Sequence, residues 1–236
     1  VGDVTARGQK LATLAAIHTE LGDFETAHTN IRESRAICGQ NREQFGEIDA
    51  DLDLARLLIL EGDPTLASNV LKDTGEGDVL ARSRLRSVQH QQLTAKALLH
   101  TGFPTLAREL ASEATRISLE AGMDGEAVYS GVLLARILSE LGLYTKALAA
   151  LRDANTLLAK LKQVHSYDEV CWHTAVSYHH IGDTRNAADA LEKARQEVSR
   201  KASLIGEEKA VARFKKHPVA TAIEGGLQGP ARPRYF

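Results

Sequence analysis

The apolar positions of this chain recur at helical spacing, and glycines interrupt them at regular intervals. The first apolar face consists of Leu11, Leu14, Ile17 and Leu21. Their spacing is close to i, i+3, i+7, which places them on one side of an α-helix. Gly22 follows and predicts the end of this helix, because glycine adopts the left-handed conformation at little cost. The apolar pattern resumes at Ala27 and Ile31, so a second helix is expected directly after the turn.

The glycine turn and its flanking alanines form an internal repeat with a period of 40 residues. The five turn glycines are Gly22, Gly62, Gly102, Gly142 and Gly182. An alanine lies seven residues before each glycine, at Ala15, Ala55, Ala95, Ala135 and Ala175. A second alanine lies five residues after each glycine, at Ala27, Ala67, Ala107, Ala147 and Ala187. Since small side chains let two helices approach closely, each copy predicts a helical hairpin and the series predicts a stack of hairpins.

The repeat places ten long helices along the chain. The first helices of the hairpins, called A helices, are predicted near 5–21, 44–61, 79–101, 125–141 and 166–181. The second helices, called B helices, are predicted near 24–38, 64–72, 104–121, 144–161 and 184–204. A short amphipathic helix at 207–217 is expected to cap the last hairpin and to end at Pro218. The glycines and prolines that follow predict a flexible tail over 219–236. The segment 73–78 is interpreted as a solvated connector, the alternative being an ion-binding loop.

The residues of the repeat resemble those of the tetratricopeptide repeat family. The family's small residue in helix A, Gly-Asp turn and early helix-B alanine match Ala15, Gly22-Asp23 and Ala27. The period of 40 is longer than the family's 34 residues, and the family's tryptophan early in helix A is missing. The resemblance implies an all-α fold, a right-handed α–α superhelix of five hairpins within a domain at 1–218. Its repeats would fall at about 5–43, 44–78, 79–124, 125–165 and 166–204. Such long-period arrays also resemble the sensor or effector regions of large bacterial regulators of the maltose-activator type.

The charge of the chain favours neither nucleic acid nor a membrane as partner. The formal net charge is −2, so no overall field attracts a polyanion. From Arg195 to the end, nine Lys and Arg residues stand against four Asp and Glu. A solvated face of the capping helix explains this basic end better than a nucleic-acid site does. No apolar run approaches the ~20 residues that are needed to span a bilayer.

Cysteine usage and motif content point to a non-catalytic protein of a reducing compartment. Cys38 and Cys171 lie far apart, imply no disulfide framework and fit a cytoplasmic location. The sequence has no phosphate-binding Gly-Lys-Ser/Thr loop, no His-Glu-x-x-His and no Gly-x-Ser-x-Gly. We therefore expect no enzymatic activity and no cofactor.

A row of basic residues marks a candidate binding groove. The position directly after the helix-A alanine holds Arg56, Lys96 and Arg136 in three successive repeats. The resemblance implies that this position faces the concave groove, with the three side chains roughly 10 Å apart. Such a row would hold an acidic segment through charge-assisted hydrogen bonds, and Gln92 is assigned to the same groove. The alternative is that the basic side chains pair with nearby acids such as Asp53.

The fifth A helix concentrates aromatic and imidazole side chains. Trp172 is the single tryptophan of the chain, and His173 and His180 lie seven residues apart, so these histidines share one face of the helix. We expect Trp172, His173 and His180 to anchor a partner in the groove. The alternative is a packed tryptophan with surface histidines. A metal site is disfavoured, because no two histidines stand at i, i+4.

These features together predict a protein- or peptide-binding scaffold. A groove that is built from several repeats can bind an extended or helical segment. We expect the module to be a regulatory part of a larger cytoplasmic signalling or transcription-regulating protein. The alternative is a small-molecule-sensing domain with its pocket at the Trp172 end. Because the sequence opens almost at its first helix, we also expect that further repeats or another domain precede it, or that this end self-associates.

Overall fold

The fold is an array of α-helices. A computed structural model describes residues 4–76, 78–161 and 167–227, with side chains from Ala6 onward. Within these ranges all regular structure is helical. The helices are α1 (Val4–Glu20), α2 (Phe24–Gln40), α3 (Gln44–Glu61), α4 (Pro64–Gly75), α5 (Asp78–Ala81), α6 (Arg84–His100), α7 (Pro104–Glu120), α8 (Asp124–Glu140), α9 (Tyr144–Leu158), α10 (Tyr167–His180), α11 (Thr184–Leu204), α12 (Glu208–Lys216) and α13 (Pro218–Gly225).

The long helices pack as five hairpins, α1 with α2, α3 with α4, α6 with α7, α8 with α9 and α10 with α11. The glycine that follows each A helix has a positive φ, 72° at Gly22, 94° at Gly62, 90° at Gly102, 73° at Gly142 and 83° at Gly182. The predicted left-handed turns are therefore present in all five copies. In two of these turns an aspartate caps helix B: Asp63 accepts a hydrogen bond from Leu66 N at 2.9 Å, and Asp183 accepts one from Asn186 N at 3.1 Å.

The repeated alanines lie buried in the packed array. The A-helix alanines Ala15, Ala55, Ala95, Ala135 and Ala175 are all 0% exposed, and their B-helix counterparts are at most 1% exposed. A methyl group at these positions lets the helix backbones approach closely. Larger side chains such as Leu57 and Ile137, which are also fully buried, fill the remaining space. The predicted all-α array of stacked hairpins is thus confirmed.

The third hairpin departs from the prediction at its start. The single helix expected over 79–101 is divided into the short α5 and the long α6. Ser83 separates them, because its hydroxyl accepts a hydrogen bond from Arg86 N at 3.5 Å and so caps α6. Before this break, α4 continues to Gly75 and so covers part of the predicted connector 73–78. Gly77 of that connector lies outside the described residues.

The C-terminal region differs more strongly from the prediction. Helix α12 lies within the predicted range 207–217, and Pro218 ends it but also starts α13, since proline suits the first turn of a helix. The residues of α13 were expected to belong to a flexible tail. Instead Ala220, Ala222 and Ile223 are 2%, 6% and 0% exposed and pack on the fifth hairpin. The remainder of the predicted tail, 228–236, lies outside the described residues.

Candidate binding groove

The A helices form the inner layer of the array. Each A helix contacts the next, in the order α1, α3, α6, α8 and α10. The B helices lie beside them, so that the A helices line one continuous surface. This surface is the candidate groove, and its side chains come from positions that are related by the 40-residue repeat.

Arg56 is held within the groove by a carboxylate of its own helix. Its Nη1 donates to Asp53 Oδ1 at 2.7 Å, and 33% of the Arg56 side chain is exposed. Burial alone would lower the pKa of Arg56, but Asp53, Tyr129 and Glu20 raise it. The guanidinium thus stays charged and is already paired, as the alternative interpretation of the basic row expected.

Arg136 and Gln92 are buried, whereas a side chain that contacts a partner in the groove has to be exposed. Arg136 is 8% exposed, and its Nη2 lies 3.1 Å from His100 Nε2. Gln92 is 3% exposed and donates to Glu126 Oε2 and to Ser130 Oγ, both at 2.9 Å. These contacts join neighbouring A helices, so both side chains stabilise the inner layer in this conformation.

Lys96 remains partly exposed and makes no ion pair with another described residue. It interacts electrostatically with Glu169 of α10 and with His217 after α12. Burial raises the pKa of Glu169, and Lys96 acts in the opposite direction. The adjacent Asp168 is 3% exposed and accepts a hydrogen bond from Lys201 Nζ at 2.8 Å. Among the described residues, neither Lys96 nor Glu169 has an ion-pair partner.

The predicted aromatic anchor lies in the core. Trp172 is 5% exposed and belongs to a buried cluster with Val198, Ala220 and Ile223. His173 is 6% exposed. Both side chains are therefore buried in this conformation, Trp172 against residues of α13, and their role as partner anchors stays a prediction. His180 is exposed and stacks on Tyr144, with ring centroids 4.5 Å apart and an interplanar angle of 5°.

The C-terminal helices reach back to the first hairpin. Arg213 Nη2 of α12 lies 3.6 Å from Asp23 Oδ2 in the turn between α1 and α2. The backbones approach equally closely, since a Cβ at Gly22 would lie 3.1 Å from Arg213 O. The ring of His217 meets Phe24 edge-on, with centroids 6.4 Å apart. Helix α12, which follows the last hairpin, is therefore in contact with the turn of the first hairpin.

His217 lies at this junction, and charged groups of the groove change its pKa. It is 6% exposed, and burial lowers its pKa. Glu20 raises the pKa and Lys96 lowers it, followed by smaller contributions from Asp168 and Lys201. These four groups belong to α1, α6, α10 and α11. Charges from four different helices therefore contribute to the pKa of this imidazole.

The sequence analysis did not identify three polar residues of this region, which are Glu20, Glu169 and His217. Glu169 had a signal, because it shares its repeat position with Asp49 and Tyr129 and so belongs to the same face of an A helix. Glu20 and His217 come together only through the folding back of α12. Among the described residues no group of three or more His, Cys, Asp and Glu side chains could hold a metal ion. None of the described helices is long and apolar enough to cross a membrane.

Comparison with known proteins yields matches in fold alone. No protein-family model matches the chain, and no curated protein matches it. The Rap protein complexed with Competence and Sporulation Factor superposes with a TM-score of 0.71 at 13% identity, over 96% of this chain and 64% of that one. This chain therefore spans less than two thirds of the Rap chain.

Two further solved structures share the fold. One consists of the nearly identical tetratricopeptide-like repeats of a kinesin light chain from Podosopora anserina, with a TM-score of 0.58 and 19% identity over 86% of this chain and 100% of that one. The other is a signal transduction ATPase from Pyrococcus horikoshii with a tetratricopeptide repeat sensor, with a TM-score of 0.57 and 17% identity over 99% of this chain and 35% of that one. The predicted tetratricopeptide-like superhelix is thereby confirmed.

Proposed function

We propose, from the tetratricopeptide-like fold of this chain, that it binds a segment of a protein or a peptide in the groove of its A helices. The observation that carries the proposal is the presence of charged side chains, Lys96 and Glu169, on the inner layer of a solenoid without an ion pair among the described residues. A groove formed by successive hairpins offers side chains along its length, as recognition of an extended segment requires.

The electrostatics of the groove support recognition by charge. Lys96 and Glu169 are partly buried, and charges interact more strongly where water is partly excluded. An oppositely charged side chain of a partner would therefore gain more here than on the open surface. An uncharged interior, in contrast, would favour an apolar ligand.

The solved structures of the same fold support the proposal by analogy. The Rap protein was solved in complex with Competence and Sporulation Factor, and the repeats of the signal transduction ATPase are described as a sensor. We propose by extension that this chain is a regulatory part of a larger protein. Its two cysteines are buried free thiols, which suits the reducing cytoplasm.

The small-molecule alternative finds less support at its predicted position. That alternative places a pocket at Trp172, His173 and His180, but the first two side chains are 5% and 6% exposed. A cavity of about 300 Å³ lies instead between α9, α10 and α11, with Arg152 and Lys193 in its lining. A thermal-shift screen of small carboxylic acids tests this alternative, and a rise in Tm that Arg152→Ala abolishes would favour it.

The test of segment binding is a selection of displayed random peptides on the purified chain. Lys96→Glu should change the set of enriched peptides, because it reverses a charge of the groove. The matched control is Lys72→Glu, since Lys72 is exposed on the B helix α4. Failure of the wild-type chain to enrich any peptide would contradict the proposal, and so would equal effects of the two substitutions.

A further inference from the structure

The cavity between α9, α10 and α11 has an apolar floor. Its volume of about 300 Å³ is at the lower end of the range for small-molecule sites. Burial raises the pKa of the Cys171 thiol, so this lining side chain is uncharged at neutral pH. An apolar group can therefore enter without covering a charged side chain of the floor. The buried lining residues are Leu151, Val170, Cys171 and Ala190, which are 2%, 3%, 6% and 8% exposed.

The fifth repeat has smaller side chains in this cavity than the second repeat has at the same positions. Thr174 and Ala190 line the cavity. Three repeats earlier, their positions hold Leu54 and Val70, which pack against the core of the second hairpin. Threonine and alanine leave open the space that leucine and valine fill. The Thr174 hydroxyl donates to the carbonyl oxygen of Val170 in its own helix at 2.7 Å, so it needs no partner across the cavity.

Charged side chains stand at the mouth of the cavity. Arg152 of α9 and Asp189 and Lys193 of α11 line it and are exposed. None of the three makes an ion pair with another described residue. Two cations against one carboxylate leave the mouth positive.

The positive charge of Lys193 is particular to the repeat that has the cavity. Its repeat position holds an acid in every preceding copy, namely Glu33, Asp73, Glu113 and Asp153. The fifth repeat therefore differs from the second in both the size and the charge of the side chains that surround this space.

We propose that this cavity binds a small carboxylate with an apolar chain. The chain lies on the buried floor, and Arg152 and Lys193 hold the carboxylate at the mouth through charge-assisted hydrogen bonds. A single negative charge balances the excess of one cation over Asp189. A doubly charged phosphate would leave a negative charge uncompensated, so the carboxylate suits this mouth better.

This site is separate from the groove of the proposed function. Among the described residues that line the cavity, neither Lys96 nor Glu169 is present, and its charged side chains stand on B helices. The inference therefore does not depend on segment binding. It also differs from the pocket that the sequence predicted, because neither Trp172 nor His180 belongs to the described lining.

The experiment measures the Tm of the full chain with linear carboxylates from butanoate to decanoate. The amine and the alcohol of the same chain length serve as comparisons. Carboxylates should raise the Tm, because a ligand that binds the folded state alone stabilises it, and the amines and alcohols should raise it less. For the carboxylate with the largest shift, calorimetry should give about tenfold weaker binding to Lys193→Glu. Lys72→Glu, at an exposed position of α4, is the matched control and should bind as the wild type does.

A second variant tests the cavity by filling it. Thr174→Leu/Ala190→Val gives the fifth repeat the side chains of the second and should abolish binding. Thr94→Leu makes the same change at the corresponding position of α6, outside the cavity, and should retain binding. A ligand-free Tm of the filled variant at or above that of the wild type shows that it is folded.

Each contrary outcome rejects a stated part of the inference. Equal shifts with amines and carboxylates would overturn the anionic ligand, and no shift with any carboxylate would overturn the site. Binding that persists in Thr174→Leu/Ala190→Val would place the ligand elsewhere on the chain. Equal losses in Lys193→Glu and Lys72→Glu would mean that overall charge alone attracts the carboxylate. Peptide selection on the groove should give the same result in all of these cases.

Discussion

Asp23, in the turn of the first hairpin, and Arg213, in the C-terminal helix α12, form an ion pair of 3.6 Å although they lie at opposite ends of the chain. Next to this pair, His217 packs against Phe24. If the two ends of the solenoid did not touch, Asp23 and Arg213 would both be surrounded by solvent. Here α12, which follows the last hairpin, contacts the turn of the first hairpin.

The ion pair between Asp23 and Arg213 is expected to hold α12 in place more than it stabilises the fold. Both side chains are partly exposed, and such pairs contribute about 0–1 kcal/mol. Arg213→Glu should therefore change the free energy of unfolding by less than about 1 kcal/mol but speed hydrogen exchange in α12. The double reversal Asp23→Lys/Arg213→Glu should slow the exchange again. Lys216→Glu, on the same helix, serves as control; an equal effect of this control would contradict the prediction.

Helix α13 is expected to be an integral part of the core. Ile223 is fully buried and lies in the same cluster as Trp172. Ile223→Ala should lower the free energy of unfolding by about 2–5 kcal/mol, because it removes buried methyl groups and leaves a cavity. The emission of Trp172 should shift to longer wavelength as water gains access. Leu204→Ala should leave both quantities unchanged, since Leu204 is 71% exposed.

The stability of the protein should fall in mild acid because of His217. Burial holds its pKa below the ordinary value of 6.5, so the unfolded chain takes up the proton first as the pH falls. The free energy of unfolding should then decrease below about pH 6.5, by at most about 1.4 kcal/mol per pH unit, and level off below the pKa of the folded state. Burial is the largest cause of the lowered pKa; Glu20 and Asp168 act to raise it, and Lys96 and Lys201 act to lower it.

The measurement for His217 is urea unfolding between pH 5 and 8. His217→Gln should flatten the dependence, because glutamine does not titrate. The exposed His179 provides the control, and His179→Gln should retain the wild-type dependence. Identical pH profiles of wild type and His217→Gln would refute the role of this imidazole.

The repeated alanines should tolerate no larger side chain. Ala95 is 0% exposed in α6, so Ala95→Leu forces the packed helices apart and should cost about 1–3 kcal/mol. Ala149 is exposed on α9, and Ala149→Leu should change the Tm by no more than about 1 °C. Equal Tm values for the two variants would show that the alanine register does not govern the packing.

The sequence was sufficient for the hairpins because their determinants are local. Gly22 and its copies end helices through their own backbone conformation, and Ala15 and its copies act through their size. The third hairpin shows the limit of such reasoning. Ser83 caps α6 through one side-chain hydrogen bond. Its repeat position is also the N-cap of α3, at Glu43, and of α8, at Met123, but the prediction extended the helix back to residue 79.

The sequence placed the basic residues on the A helices but did not predict their side-chain partners. The repeat placed Arg56, Lys96 and Arg136 on one row, yet Arg56 pairs with Asp53 of its own helix and Arg136 contacts His100 of the neighbouring α6. The largest error concerns α13, which was interpreted as a tail because glycine and proline follow it. Val219, Ala220, Ala222 and Ile223 do form an apolar helical face, but its burial depends on packing against Trp172 and Val198 of the fifth hairpin, which the local pattern does not specify.

Hydrogen–deuterium exchange on the full chain, with and without one selected peptide, tests the central claim most directly. Binding in the groove predicts slower exchange in the A helices α3, α6, α8 and α10 and in α12, with the B helices α4, α7 and α9 unchanged. Slower exchange confined to the B helices, or to none of these helices at saturating peptide, would contradict the account.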